Sequence, residues 1–257
     1  MEASSIGAIL ARYPKARPLL SPAAAAAHSA ILKGNRERAS VLSKVSDLLE
    51  SWMHHQIAKR GRSVPGQRVL ELGAGTLNHL SYEPSTTSYD IVEPFSELYM
   101  GRPELTRITA VYADIGSIAG EGIYDRILSV ATLEHLTELP TAIARAALLL
   151  KPDGLFQACI PSEGGFLWGA SWRMTFAIAY KLQTGRDWSE HMRYEHVNDA
   201  KEILRLIDYF FAYMAVRRFP LPSHHLSLYA AIEARRPRLD RCRDYLKSHG
   251  WYEGSPL

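Results

Sequence analysis

The stretch Val69-Leu70-Glu71-Leu72-Gly73-Ala74-Gly75-Thr76 constrains this chain more than any other. Three apolar residues around one acid, running into two glycines, predict a buried parallel strand that ends in a tight turn. Glycine lacks a Cβ, so at Gly73 and Gly75 the backbone can take positive φ and pass close to a ligand. Glu71 lies on that strand, near the crevice outside the strand ends where open α/β sheets bind ligands. An ordinary strand-to-turn junction carries glycines too, so the weight rests on the residues downstream.

Those residues alternate strands with loops and helices. Tyr89–Val92 is a second apolar run, about fifteen residues on, which leaves room only for a very short crossover helix. It ends in Glu93-Pro94, and Glu93 stands twenty positions after Gly73, where a second-strand carboxylate accepts from ribose hydroxyls in nucleotide-binding sheets. Ile108–Tyr112 and Tyr124–Val130 read as the third and fourth strands, and a helix runs from about Leu139 to Leu150. Lys151-Pro152-Asp153-Gly154 predicts a turn before a fifth strand over Leu155–Ile160. Ala215–Phe219 and Leu226–Ala234, joined by a short Pro-containing link, predict an antiparallel hairpin. Strands separated by helical stretches argue a mostly parallel sheet with helices on both faces.

The flanks are helical. Residues 1–36 hold Pro14, Pro18 and Pro22 with the Ala23–Ala27 run, which favours a short helix after Ser21-Pro22, peripheral or lying over a pocket. From Asn35 to about Arg60, Val41, Leu42, Val45, Leu48, Leu49, Trp52 and Met53 recur at helical spacing, and His54 and His55 fall near that helix's C-terminus. Past Pro161 the chain turns aromatic, with Trp168, Trp172, Met174, Phe176 and Tyr180 reading as a core-packed amphipathic helix. The run Ser189 to Asn198 is dense in titratable groups, with Asn198 placed to cap a helix to about Phe211. The expected organisation is a helical extension over residues 1–60 and a ligand-binding domain over 61–257, with a substrate-side insert at about 162–205. Arg235 to His249 predicts a basic closing helix with a solvated face.

A chain of 257 residues suffices for one α/β domain with additions, and 47% hydrophobic residues fill a core. A net charge of +3 without any long Lys/Arg block argues against a nucleic-acid partner. Cys159 and Cys242 lack metal-ligand or CxxC spacing and read as reduced thiols of a cytoplasmic protein. The Ile6–Leu10 run is too short for a signal peptide, and no stretch approaches the ~18 apolar residues of a membrane span.

Together these residues resemble the class I S-adenosylmethionine-dependent methyltransferases, near the ubiquinone-biosynthesis-like (methyltransferase type 11) group. The residues that carry the likeness are Glu71-Leu72-Gly73-Ala74-Gly75, Glu93, Ala113-Asp114, Leu133-Glu134-His135-Leu136 and Lys151-Pro152-Asp153-Gly154. It covers roughly Val69 to Leu155. It implies an α/β, Rossmann-like seven-stranded sheet, mostly parallel, with a closing antiparallel hairpin and an N-terminal helical extension. It also implies S-adenosylmethionine as cofactor and S-adenosylhomocysteine as product. The Gly73-Ala74-Gly75 turn would pass under the methionine part, with Glu71 near its amino-acid moiety and Asn78 beside it. Glu93, next to Pro94, would hold the ribose hydroxyls. Asp114 would accept from the adenine amino group with Ile115 against the ring, and Ala131 and Thr132 would line the side facing substrate. Leu77 departs from the pattern, where a third glycine is common.

Methyl transfer from a sulfonium needs mainly alignment and exclusion of water, but a hydroxyl nucleophile gains from a base near neutrality. His135 is the first candidate by position, with His191 and His196 next, in the divergent segment. Arg193 could anchor a carboxylate or phosphate, or pair with an acid. No His and carboxylate positions show metal-ligand spacing, and none is expected to bind metal. The expected acceptor is a small molecule, with a sugar or glycan-linked hydroxyl favoured, in a chain whose oligomeric state is open and could be a homodimer. Two other readings compete. An NAD-dependent oxidoreductase would want glycine at position 78, which is Asn, and an idle methyltransferase-like partner subunit would not need Glu71, Glu93 and Asp114.

Overall fold

The structure, a computed structural model, describes residues 2–22, 24–25, 50–59, 66–84, 88–178, 180–181 and 187–251. Among them seven strands form one sheet: β1 Arg68–Leu72, β2 Ser88–Val92, β3 Ile108–Tyr112, β4 Tyr124–Val130, β5 Leu150–Pro161, β6 Phe211–Pro220 and β7 Ser227–Pro237. Their order is β3-β2-β1-β4-β5-β7-β6, with β1 to β5 parallel and the β6–β7 hairpin antiparallel. This is the sheet the sequence predicts.

Alternation along the strands divides the core in two. Leu70 and Leu72 of β1 join Ile127, Phe156, Ala158 and Ile160 on one side, under the Leu139–Leu149, Ala200–Phe210 and Leu239–Ser248 helices. Val69 joins Tyr89, Ile91, Leu128 and Cys159 on the other, against Met53 and Ile57 of the helical residues 50–59, Leu77, and Leu80 of the short Asn78–Tyr82 crossover that follows it. In the Ala200–Phe210 helix the buried Ile203, Leu206, Ile207 and Phe210 recur at i, i+3, i+4 and i+7, one apolar stripe facing the sheet.

Three local expectations are corrected. Asp199, not Asn198, caps the Ala200–Phe210 helix, its Oδ1 accepting from Glu202 N at 2.8 Å. Residues 151–154 do not separate helix from strand: β5 starts at Leu150 and swings out, so that Tyr124 pairs Leu150 while Arg126 pairs Leu155. Pro152, with no N–H to leave unpaired, suits that excursion. The closing helix is Leu239–Ser248, because β7 runs on to Pro237. A helix not foreseen, Glu2–Leu10, opens the chain and delivers Ile9 and Tyr13 into the main core. The Ala23–Ala27 run and the 35–49 part of the expected second helix lie largely or wholly outside the described residues.

Asn198 has a different task. Its Oδ1 accepts from the Tyr13 hydroxyl at 2.7 Å, and its Nδ2 donates to Leu133 O at 2.9 Å and Leu136 O at 2.7 Å. One buried amide therefore ties the N-terminal segment to the turn after β4. Among the described residues no helix is long and apolar enough to cross a membrane. Replacing Asn198 with Ala strands three buried polar groups, each costing about 1–3 kcal/mol when unpaired. Urea unfolding of Asn198→Ala is expected to show a loss of about 3 kcal/mol or more; a loss under 1 kcal/mol contradicts this role.

Candidate active site

The strand order reverses between β1 and β4, with β2 and β3 on one side and β5 on the other. At such a switch point the two connections leave in opposite directions, and a crevice opens outside the carboxyl ends of the strands. Gly73 leaves β1 at φ 72°, its N–H donating to Val92 O at 2.9 Å. A Cβ there would lie 2.3 Å from Thr132 Cγ2, so glycine is what allows the segment after β4 to close onto the turn. Thr132 Oγ1 donates to Gly73 O at 3.3 Å. Gly75, at φ 51°, has open space where a Cβ would point. Leu77 takes φ 61°, as a glycine would. That conformation costs about 1–2 kcal/mol, offset by full burial of the leucine, worth about 1.5–3 kcal/mol.

Glu93 sits at the end of β2 and is 5% exposed. Its Oε2 accepts from Gly75 N at 2.8 Å and its Oε1 from Phe95 N at 3.0 Å. Each oxygen keeps lone-pair capacity for a second donor, which fits a ligand with paired hydroxyls. Asp114, at the end of the neighbouring β3, is half-buried and accepts from Gly116 N at 2.6 Å. Pro94 is exposed beside Glu93, and Ala131 turns away from β4 at φ 49°. The remaining expected residues have these surroundings. Ile115 packs in the main core at 3% exposure, Ala74 is buried in the second cluster, and Asn78 bonds Thr76 and Glu50.

Glu71 points under the sheet, where the Tyr89 hydroxyl donates to its Oε2 at 2.8 Å. Burial pushes its pKa up to about 8, against the Tyr89 bond that holds it down, so near neutrality it stays protonated. Beside it lies a buried polar layer. The Glu83 carboxylate receives Arg126 on one oxygen and His79 Nε2, at 2.8 Å, on the other. Burial raises Glu83, but His79 and Arg126 override it and hold it below the ordinary range; burial lowers His79 and keeps it neutral. His79 Nδ1 meets His54 Nδ1 at 3.0 Å, and both rings stack on Tyr82. His54 is thus buried rather than a solvated partner of a helix end. Arg126, buried within β4 next to Asp125, is the signal for this layer in the sequence.

The histidines separate into two environments. His135 and His196 meet edge to face with ring centroids 4.9 Å apart, whereas His191 tilts against Trp188 at 4.3 Å. His135 Nδ1 donates to Glu195 O at 2.8 Å and lies 3.2 Å from Glu195 Oε2, while its Nε2 lies 3.8 Å from Glu134 Oε1. Burial pulls its pKa down, but Glu195 and Glu134 outweigh it and the net shift is upward. Glu134 is buried and raised, with its Oε2 lacking a hydrogen-bond partner among the described residues. His196 Nδ1 pairs with Glu163, and its Nε2 has no protein partner among the described residues. His196 lines a cleft of about 410 Å³ with Trp168, Trp172, Arg173, Met192 and Arg193. The two tryptophans are half-buried and Met174 is 72% exposed, so this segment builds a wall of the cleft rather than core. Among the described residues no group of three or more His, Cys, Asp and Glu converges as metal ligands.

No family model matches the chain. It is 25% identical over 118 residues, 42% of its length, to (S)-tetrahydroprotoberberine N-methyltransferase of Eschscholzia californica, and it spans about a third (34%) of that relative. Among solved structures it is similar to an S-adenosylmethionine-dependent methyltransferase from Thermotoga maritima, with TM-score 0.51 and 15% identity over 76% of this chain and 96% of that one. It is also similar to phosphoethanolamine N-methyltransferase 2 of Haemonchus contortus, whose structure holds S-adenosyl-L-methionine, with TM-score 0.51 and 14% identity over 72% of this chain and 52% of that one. The fold is that of the class I S-adenosylmethionine-dependent methyltransferases. The resemblance read from the motifs is borne out at that level.

Two outcomes test this geometry. Gly73→Ala forces a Cβ into Thr132 at positive φ, and thermal unfolding is expected to show a loss of several kcal/mol; an unchanged midpoint contradicts the close approach. For Glu71, a folded pKa of about 8 lies above the unfolded carboxylate value near 4.5. Its contribution is fully present below the unfolded pKa and is lost as pH rises toward 8. Glu71→Gln, which can still accept from Tyr89, is expected to match the native protein near pH 5 and exceed it in stability near pH 8.5. Equal stability of the two at both pH values contradicts the raised pKa.

Proposed function

We propose that this chain is an S-adenosylmethionine-dependent methyltransferase acting on a small-molecule acceptor at a hydroxyl, a sugar or glycan-linked hydroxyl being favoured. The observation that carries the reading is Glu93, a buried carboxylate that anchors the Gly73–Gly75 turn and keeps one lone pair per oxygen for a vicinal diol. Glu93 would bind the ribose, Asp114 the adenine amino group, and the backbone from Gly73 to Gly75 would run beside the methionine part. The bound cofactor supplies a methyl group already activated on a sulfonium. The fold likeness supports the cofactor, as does the presence of S-adenosyl-L-methionine in the Haemonchus protein.

The chain's own residues then align the acceptor and take its proton. His196 suits the base: Glu163 fixes Nδ1–H, so Nε2 is turned to accept and the carboxylate steadies the imidazolium that forms. His135 is less suited, because its Nδ1 is spent on Glu195 and its Nε2 faces Glu134. We assign it a positioning role beside His196. The ring faces of Trp168 and Trp172 in the cleft support a sugar or other flat acceptor.

Calorimetric titration with S-adenosylmethionine is expected to show at least tenfold weaker binding to Glu93→Ala, since two charge-assisted hydrogen bonds are each worth about 1.5–3 kcal/mol; unchanged affinity overturns the ribose assignment. With an acceptor found by a mass-spectrometric screen for gain of one methylene, His196→Ala is expected to lower kcat by roughly 10²–10⁴-fold with cofactor affinity kept. A near-normal kcat overturns the assignment of the base.

A further inference from the structure

The cleft beside His196 carries two exposed arginines, Arg173 and Arg193. Arg173 is held in place: Nη1 donates to Gly169 O at 2.9 Å and the guanidinium lies 4.5 Å over the Trp172 ring. Arg193 reaches the same cleft from the Trp188–Glu195 helix. Among the described residues neither Arg173 nor Arg193 has a carboxylate within ion-pair distance, although the charge of Arg193 acts on the exposed Asp187 carboxylate. The acid lining the cleft, Glu163, is taken by His196. Other arginines of the chain divide between carboxylate partners, as for Arg68 with Asp90 and Arg126 with Glu83, and backbone carbonyls, as for Arg107 and Arg241.

A guanidinium presents a planar fork of donors matched to two oxygens of one anion, and it keeps its charge at any working pH. In this cleft Arg173, already stacked on an aromatic ring, loses little freedom on capturing an anion. We infer that the acceptor carries an anionic group, a phosphate or a carboxylate, that is read by Arg173 and Arg193. Trp168 and Trp172 take the flat or apolar face of the same molecule, and the distance from the arginines to His196 sets which hydroxyl is presented. The inference rests on the proposed methyl transfer only in taking the cleft's ligand to be the methyl acceptor.

The test is direct binding, measured by tryptophan fluorescence or calorimetry, on the full chain with S-adenosylhomocysteine present. Phenyl phosphate and benzoate are the anionic probes, and benzyl alcohol is the neutral control. The anions are expected to bind at least tenfold more tightly than the alcohol, and Arg193→Gln and Arg173→Gln each to erase about tenfold of that preference. Phenyl phosphate binding more tightly than benzoate identifies a phosphate acceptor, and the reverse order a carboxylate. Anion binding that is unchanged in both variants, or no tighter than that of the alcohol, overturns the inference. Far-ultraviolet circular dichroism and S-adenosylhomocysteine affinity, expected to be unchanged in both variants, serve as the fold control. The two readings separate cleanly: cofactor binding without anion preference sinks only this inference, and anion preference without cofactor binding sinks only the methyltransferase.

Discussion

The bond from Gly75 N–H to the Glu93 carboxylate joins the two strand ends on which the crevice depends. β1 and β2 are parallel neighbours, so their connections leave from the same edge of the sheet. Gly73 N–H, on Val92 O, holds the start of the turn to β2 and leaves a gap beyond it at Gly75. Glu93 spans that gap and also receives Phe95 N–H, so the turn, the carboxylate and the start of the next segment form one unit. Thr132 closes the unit from the β4 side, against a glycine that tolerates no side chain.

Beneath this unit the sheet carries polar groups where an apolar layer would be simpler. Tyr89 with Glu71, and Glu83 with His79 and Arg126, are pairs whose separate burial would be costly. Glu71 meets that cost by staying protonated, whereas Glu83 meets it with a charged partner. Neutral Glu71 under the turn leaves Glu93 as the carboxylate tied directly to the glycine turn, where a diol or an ammonium of a ligand would be sensed. On the other side of the crevice, Asn198 and Arg17 tie the N-terminal segment to the His135 turn, Arg17 Nη2 donating to His135 O at 2.8 Å. This side of the crevice is therefore assembled from three distant parts of the sequence.

The sheet is legible in the sequence because its signals are local. Alternation, glycine pairs and terminal acids sit within a few residues of each other, and β3 and β4 match their expected bounds. The Lys151–Gly154 excursion and the Asp199 cap escape a reading of the sequence because neighbouring residues compete for one role and only tertiary contacts choose between them. The cleft is legible only in part. His135 and His196 stand out as titratable groups, but Glu163, which decides what His196 can do, lies 33 residues away. Glu83 and His79 give no pattern, since their partner Arg126 is two strands distant in sequence. The tryptophans read as core because helical spacing of aromatics is the same whether the stripe faces a sheet or a cleft.

A crystal structure with S-adenosylhomocysteine tests the central claim most directly. The account predicts the nucleoside outside the ends of β1 and β4, with both ribose hydroxyls on Glu93 and the adenine amino group toward Asp114. A ligand bound elsewhere, or with its ribose away from Glu93, would contradict it.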